Sequence, residues 1–411
     1  MVGAGIFALL GQAALIVRSE TWLAFVIGGA IALLSGYSYA RLGATYPSAG
    51  GIIEFFRRGL PSHRVAVALS LLYLITLALT IAMVARAFGA YGARLFHEPP
   101  VHAERVQLYA GALILALSLL NIIGSEAVGK AEVLLVTIKL GILAVLLVAG
   151  ASTLKPAMLE VHSHLATGTL LASVGLTFFA YAGYGMMANA AAAVKDPART
   201  MPRAFALAIG VTIVLYVLLA LVVLGNVTPA DLARYADTAV AQAATPVLGQ
   251  VGFTIVSIGA LLATASAVNA TLFSALNILQ NMGQRGELPR LFAHRLWRGA
   301  TPGLLLSIAL VLVLTLTLDL SALANVASAT FLICYLAVYI AAWRLRREIQ
   351  ARAWLLLIGA ASMLLIFGAF IVSLAQGGTL GLLIVAGAIG LSFLLAWQVD
   401  RSTSPTASPL K

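Results

Sequence analysis

Runs of about twenty apolar residues follow one another along this chain, separated by short loops that hold nearly all of its charge. That pattern leaves few folds open. A hydrocarbon interior offers no water to backbone N–H and C=O groups, so each buried segment must close its own hydrogen bonds, as a helix does. Composition agrees: 62% of the residues are hydrophobic and only 9% are charged, against about 25% charged in a soluble domain. The expected fold is an all-α polytopic membrane protein of about twelve transmembrane helices. The lone cysteine, Cys334, lies in an apolar run, so no disulfide framework or cysteine metal cluster is available. No cleavable signal peptide is expected ahead of the first span, which then serves as its own insertion signal.

Charge placement sets the topology. Of the 25 Lys and Arg residues, eighteen fall in the loops after the even-numbered spans and in the tail, and six fall on the opposite side. The positive-inside rule puts the basic side in the cytoplasm, with both termini there, in a plasma or inner membrane. The net charge of +11 is therefore a topology signal. Short loops on alternating sides make no groove for nucleic acid. Lys139 is the exception, the one charge well inside a span, here Val133 to Ala149. Ionisable residues at membrane depth are costly and functional by default. Snorkelling toward the nearer interface is the other reading.

The stretch from Phe178 to Arg203 carries the strongest hint of a site. Gly183 and Gly185 flank Tyr184, and Gly3 and Gly5 form the same Gly-x-Gly near the start of the chain. Glycine costs about 1 kcal/mol in a helix interior relative to alanine, so each pair is a place for a helix to unwind. Interrupted apolar segments at corresponding places in two halves are a transporter's sequence mark of its binding site. Close helix packing through small residues is the alternative. All fourteen Asp and Glu lie in loops or at span ends, which disfavours cationic substrates and favours neutral ones.

Five motifs, VGAGIF, YPSAGG, FFAYAGYG, KDPARTMPRA and GQRGELPRLF, occur in an order that resembles the amino acid–polyamine–organocation (APC) permeases, over essentially the whole chain. The resemblance implies a 5+5 inverted repeat with broken helices 1 and 6, plus two accessory helices. Residues 1–399 then form one transporter domain, with repeat one at 1–150, repeat two at 168–343, accessory helices at 353–399 and a disordered cytoplasmic tail at 400–411. It also implies an amino acid held between the two breaks. Helix N-termini favour carboxylates, so the backbone of Val2, Gly3, Ala4, Gly5 and Ile6 would hold the substrate carboxylate. Carbonyls of Phe179, Ala180, Tyr181 and Gly183 would face its ammonium, and Tyr181 and Tyr184 would shape the side-chain pocket. In proton-coupled relatives a lysine at the place of Lys139 stands where sodium sits in sodium-driven ones. Desolvation penalises its charged form, which suits proton exchange near neutrality.

Departures from the family pattern are expected to matter. Ala192 and Ala193 stand where members often carry acids, and Asn277 where many carry arginine, which puts the usual inner-gate ion pairs in doubt. The first half of helix 1 is missing, so Met1 reads as an internal methionine with further codons upstream. His162 and His164 do not complete a metal site, and neither a metal nor a cofactor is expected. Ser266, Asn269 and Ser274 either line the cavity or bond helix to helix. Asn226 begins an Asn-Val-Thr glycosylation pattern, relevant only in a eukaryotic secretory pathway. Without HExxH, GxSxG, P-loop or paired intramembrane acids, an enzyme is not the expectation. Transport of neutral amino acids, coupled to protons or by exchange, leads, and a non-transporting amino acid sensor or relic of the permease fold stands as the alternative.

Overall fold

The computed structural model describes residues 2–97, 102–123, 128–160, 167–288 and 302–403, and the described residues are helical apart from short connections. In chain order the helices are α1 (Ala4–Val17), α2 (Thr21–Thr45), α3 (Ile52–Gly59), α4 (His63–Phe96), α5 (Ala103–Ile123), α6 (Val128–Ala151), α7 (Thr167–Tyr181) and α8 (Pro197–Asn226). Then come α9 (Pro229–Tyr235), α10 (Ala239–Gln242), α11 (Thr245–Gln284), α12 (Pro302–Thr317), α13 (Leu320–Arg344), α14 (Ala353–Gln376) and α15 (Thr379–Thr403). Among the described residues ten stretches are long and apolar enough to cross a membrane, with α1 and α2 joined through a 3-10 turn into one of them. Separating α1 from α2 and adding the shorter α12 gives the expected twelve.

Helices divide by what they face. α4, α13 and the stretch that begins with α7 are mostly enclosed, whereas α5, α6, α14 and α15 turn most of their surface outward. Leu108, Val133, Val148, Leu364 and Leu394 stand exposed on those outer helices. Bulky aliphatic side chains facing out suit lipid, which costs them nothing. Several threonine hydroxyls inside the spans bond to the preceding turn of their own helix. Thr76 donates to the Leu72 carbonyl at 2.8 Å, Thr264 to Ala260 at 2.7 Å and Thr315 to Val311 at 2.7 Å. Such back-bonding satisfies a polar group where no water can.

Several boundaries differ from the sequence expectation. Arg57 and Arg58, placed in a loop, sit on the short helix α3, whose apolar Ile52, Ile53, Phe55 and Phe56 are buried while the arginines project. α6 begins at Val128 rather than Val133, which leaves Lys139 eleven residues from its start, about 17 Å along the axis. Lys139 is therefore near mid-helix and has no short path to an interface. α15 continues to Thr403, into the stretch expected to be a tail, while 404–411, His162 and His164 lie outside the described residues. The Asn226 side-chain amide is buried and donates to the carbonyls of Gly150 and Val222, leaving it no freedom for modification.

The long connection between α8 and α11 folds back as a cap on α1. Gln12 donates to an Asp237 carboxylate oxygen at 2.7 Å. At Gly11 the cap comes so near that an added Cβ would overlap the backbone carbonyl of Ala236. Gly11→Ala should therefore lower stability in detergent by about 1–3 kcal/mol through overpacking. Gly111→Ala, where a Cβ meets nothing within 4 Å, should not. Equal unfolding midpoints for the two variants would contradict the cap.

Burial raises the Asp237 carboxyl above its ordinary value, against the opposing pull of the Gln12 hydrogen bond and the Arg86 charge. The folded chain then keeps a proton that the unfolded chain releases. Asp237 contributes most below the ordinary carboxylate value, and the contribution fades as pH rises through the raised one. Asp237→Asn keeps an oxygen for Gln12 but cannot ionise. Its thermal stability should gain on the parent chain between acid and neutral pH, and a pH-independent difference would count against this account.

Candidate functional site

At the start of the chain Gly3 precedes the first turn of α1, so the backbone N–H groups of that turn have no partner within the helix. α1 crosses α7 at van der Waals contact: a Cβ on Gly5 would stand 2.5 Å from the Ala180 carbonyl oxygen and 2.9 Å from its Cα. Only glycine admits that approach. α7 stops being α-helical after Tyr181, one residue before the expected glycine pair, and continues as a 3-10 helix from Ala182 to Ala193. A twelve-residue 3-10 run is long, since such helices rarely exceed three or four residues. The interruption is thus a tightening of the helix rather than an extended gap. Its composition, AGYGMMANAAAA, has few bulky side chains to resist the tighter pitch.

The change of helix type frees a carbonyl. The Tyr335 hydroxyl of α13 donates to the Ala182 oxygen at 2.6 Å. Tyr335 also stacks on Tyr184, with ring centroids 5.5 Å apart, and meets Tyr39 and Phe178 edge-on. Aromatic edges and faces attract in such arrangements. The cluster braces the 3-10 segment against α2 and α13.

Between the start of α1 and the end of α7 lies a cavity of about 140 Å³. Val2, Gly3 and Gly5 line it from α1, and Phe179, Ala180 and Gly183 from the α7 break. Lys139 is 4% exposed and is the one charged residue in the lining. Sequence reasoning missed the share of α4, which supplies Leu77, Thr80, Met83 and Val84, and that of Met186 and Phe331. These are ordinary apolar or hydroxyl residues in long spans, and no local pattern distinguishes them. Ser266 belongs to the lining, beside Ala267, Ala270 and Thr271 of α11.

Other candidates sit elsewhere. Ile6, Tyr181 and Tyr184 are buried behind the wall rather than in it; the Tyr181 hydroxyl donates to the Phe25 carbonyl at 2.9 Å. Of Ala4 only the backbone, at the start of α1, is described. Asn269 accepts from Asn121 of α5 at 2.8 Å, and Ser274 accepts from Asn189 of the 3-10 segment at 2.8 Å, so both join helices. Cys334 is buried in α13.

On the side where α3 lies, an ion network also escaped the sequence reading. Glu54, buried, pairs with Arg57 at 3.1 Å, Arg58 at 2.5 Å and Arg285 at 3.7 Å, and Arg57 reaches Glu287 at 3.6 Å. The links tie α3 to the end of α11. Burial raises the Glu287 carboxyl above its ordinary value, opposed by Arg57 and His63.

Among the described residues, twelve apolar helical segments around a small central cavity, with an interrupted helix in its wall, fit a polytopic membrane transporter. A family model described as "Amino acid permease" matches residues 1–394. The chain belongs to this amino acid permease family. It is 54% identical to the inner membrane transport protein YbaT of Escherichia coli (strain K12) over 402 residues, 98% of this chain and 94% of that one. It is 24% identical to the serine/threonine exchanger SteT of Bacillus subtilis (strain 168), over 85% of this chain and 80% of that one. It is 23% identical to the methylthioribose transporter of the same organism, over 85% of this chain and 78% of that one.

Tyr335→Phe removes the hydroxyl that satisfies the Ala182 carbonyl while keeping the ring stack. The cost should be about 1–3 kcal/mol, that of a buried acceptor left unmade. Thermal unfolding of the purified variant measures it, and an unchanged midpoint would mean that the carbonyl finds another partner.

Proposed function

We propose that the chain moves a small neutral amino acid across the membrane by alternating access, in symport with protons. The observation that carries this reading is the cavity's lining. Backbone from the start of α1 stands opposite backbone from the α7 break, and Lys139 is the only charge between them. In this reading the amides of Val2, Gly3, Ala4 and Gly5, at the start of α1, receive the substrate carboxylate, while Ile6 packs behind them. Carbonyls of Phe179, Ala180 and Gly183 receive its ammonium, and Tyr181 and Tyr184 hold the break in shape from behind. A cationic side chain would meet Lys139 and no carboxylate. A cavity of about 140 Å³ is under half the smallest drug-sized pocket of about 300 Å³, which favours glycine, alanine, serine or threonine.

Lys139 carries the coupling proton and stands where a bound cation would otherwise sit. The domain is one unit of two inverted repeats, 1–150 and 168–343, with accessory helices at 353–399 and both termini cytoplasmic. Exchange of one amino acid for another is the second reading, favoured by the similarity to a serine/threonine exchanger.

Uptake of labelled alanine, serine and threonine into proteoliposomes, with and without an inward proton gradient, tests the proposal. Gradient-driven accumulation is expected, and Lys139→Ala should reduce it to background while leaving ligand binding detectable by thermal shift. Accumulation unchanged in Lys139→Ala would remove the lysine from coupling. Uptake only into vesicles preloaded with amino acid would make the chain an exchanger, and binding without flux would make it a sensor.

A further inference from the structure

A second cavity, about 410 Å³ in volume, lies on the other side of the wall that α4 and α11 give to the central one. It is nearly three times larger and different in chemistry. Aliphatic side chains from α4, α5, α11, α12 and α15 form almost all of its lining. Its floor is buried, with Leu71, Ile81 and Ile114 shielded, while Leu306, Leu310 and Leu391 at its rim stand 42–57% exposed. The rim therefore opens on the surface that faces hydrocarbon. A dry aliphatic slot open to lipid has no use for water, and an amino acid zwitterion would lose its hydration there for nothing.

Three polar residues interrupt the aliphatic lining: Gln398 is exposed, Ser307 donates to the Gly303 carbonyl of its own helix at 2.9 Å, and the third is Ser118. Ser118 of α5 stands in this wall, 5% exposed, and its buried hydroxyl has no hydrogen-bond partner among the described residues. Buried hydroxyls without a partner also occur at Ser35, Ser38, Ser173, Ser257 and Ser328, but none of those lines this cavity, and Ser118 is the one that does. An unmade bond in hydrocarbon is costly, which points to an acceptor brought by an occupant. Ser118 lies five residues from the end of α5, about 7.5 Å along the axis. That is shallow enough for the polar end of a chain whose remainder runs toward the bilayer centre.

We propose that this cavity is a binding site for one acyl chain of a membrane glycerophospholipid. The chain lies along Leu74, Ile75 and Ala78 of α4 and Leu272 and Ala275 of α11, and a rotation of Ser118 about χ1 lets its hydroxyl donate to the ester carbonyl. The leaflet is the one on the side of the Glu54–Arg57 network, because α4 begins there and α11 ends there. Leu77 and Thr80, on the same turns of α4, face the central cavity instead. The bound chain therefore backs the wall of the transport site.

The test uses the full chain purified in mild detergent, with phospholipid counted per protein by extraction and mass spectrometry. Thermal shift is then recorded on adding dioleoylphosphatidylglycerol or cholesterol. The parent chain should retain phospholipid through purification and be stabilised by the added phospholipid. Ala275→Phe, which fills the cavity from its side, should abolish both effects. Ser118→Ala, too small a change to unfold the chain, should weaken phospholipid binding about two- to tenfold, the worth of one net hydrogen bond. Equal retention and equal shifts in all three proteins would overturn the proposal. Stabilisation by cholesterol alone would overturn the assignment to an acyl chain. Neither readout involves transport, so the outcome is independent of the substrate and coupling proposed above.

Discussion

Every part of this structure depends on satisfying backbone polar groups where no water reaches. At most places the α-helix does so unaided. At the crossing of α1 and α7 it does not, because α1 begins there and α7 changes to a tighter helix there. The crossing is held by contacts that tolerate little alteration: Gly5 against the Ala180 carbonyl, and the Tyr335 hydroxyl on the Ala182 oxygen. The aromatic cluster around Tyr39, Tyr184 and Tyr335 supplies rigidity behind them. Irregular backbone is thus kept where protein packs on one side and a cavity opens on the other.

Charge follows the same economy. Inside the enclosed helices the hydroxyls of Thr76 and Thr264 bond to their own turns, and Lys139 is the one cation in the cavity lining. Basic residues near the helix ends also have structural roles. Arg41 donates to the carbonyls of Ile349 and Gln350, fastening the end of α2 to the connection between α13 and α14. Tyr46, at the end of α2, donates to Glu348, and burial with that bond pushes its hydroxyl up to about 12, so it stays protonated through the physiological range. A basic loop that reads as a topology signal is, in three dimensions, also a set of clasps.

Much of this was legible in the sequence for physical reasons. Apolar runs at membrane length can only be spans, and the structure has the all-helical polytopic architecture that composition demands. The two Gly-x-Gly pairs marked the elements that meet at the central cavity, because a residue without a Cβ is required where backbones touch. What the sequence hid was long-range or side-chain-specific. Nothing local separates Leu77 and Thr80 from Ile75 and Ala78, though they face different cavities. Tyr181 and Tyr184 neighbour the break in sequence, yet the tighter helix turns them into the aromatic core. Glu54 looked like a loop acid until α3 folded and brought it beside Arg285.

The placing of α4 and α11 between two chambers has an evolutionary consequence. Successive turns of each helix show one face to the central cavity and the opposite face to the aliphatic one. A side chain on that partition cannot be enlarged for one chamber without shifting the backbone that borders the other, because packed interiors transmit strain. With the central cavity as the proposed substrate site, change of substrate preference at Leu77, Thr80, Ala270 or Thr271 is therefore tied to compensating change at Ile75, Ala78, Leu272 or Ala275. Lineages that diverge in cargo should then carry paired substitutions across this wall, and the membranes they inhabit become part of the selection on the central cavity.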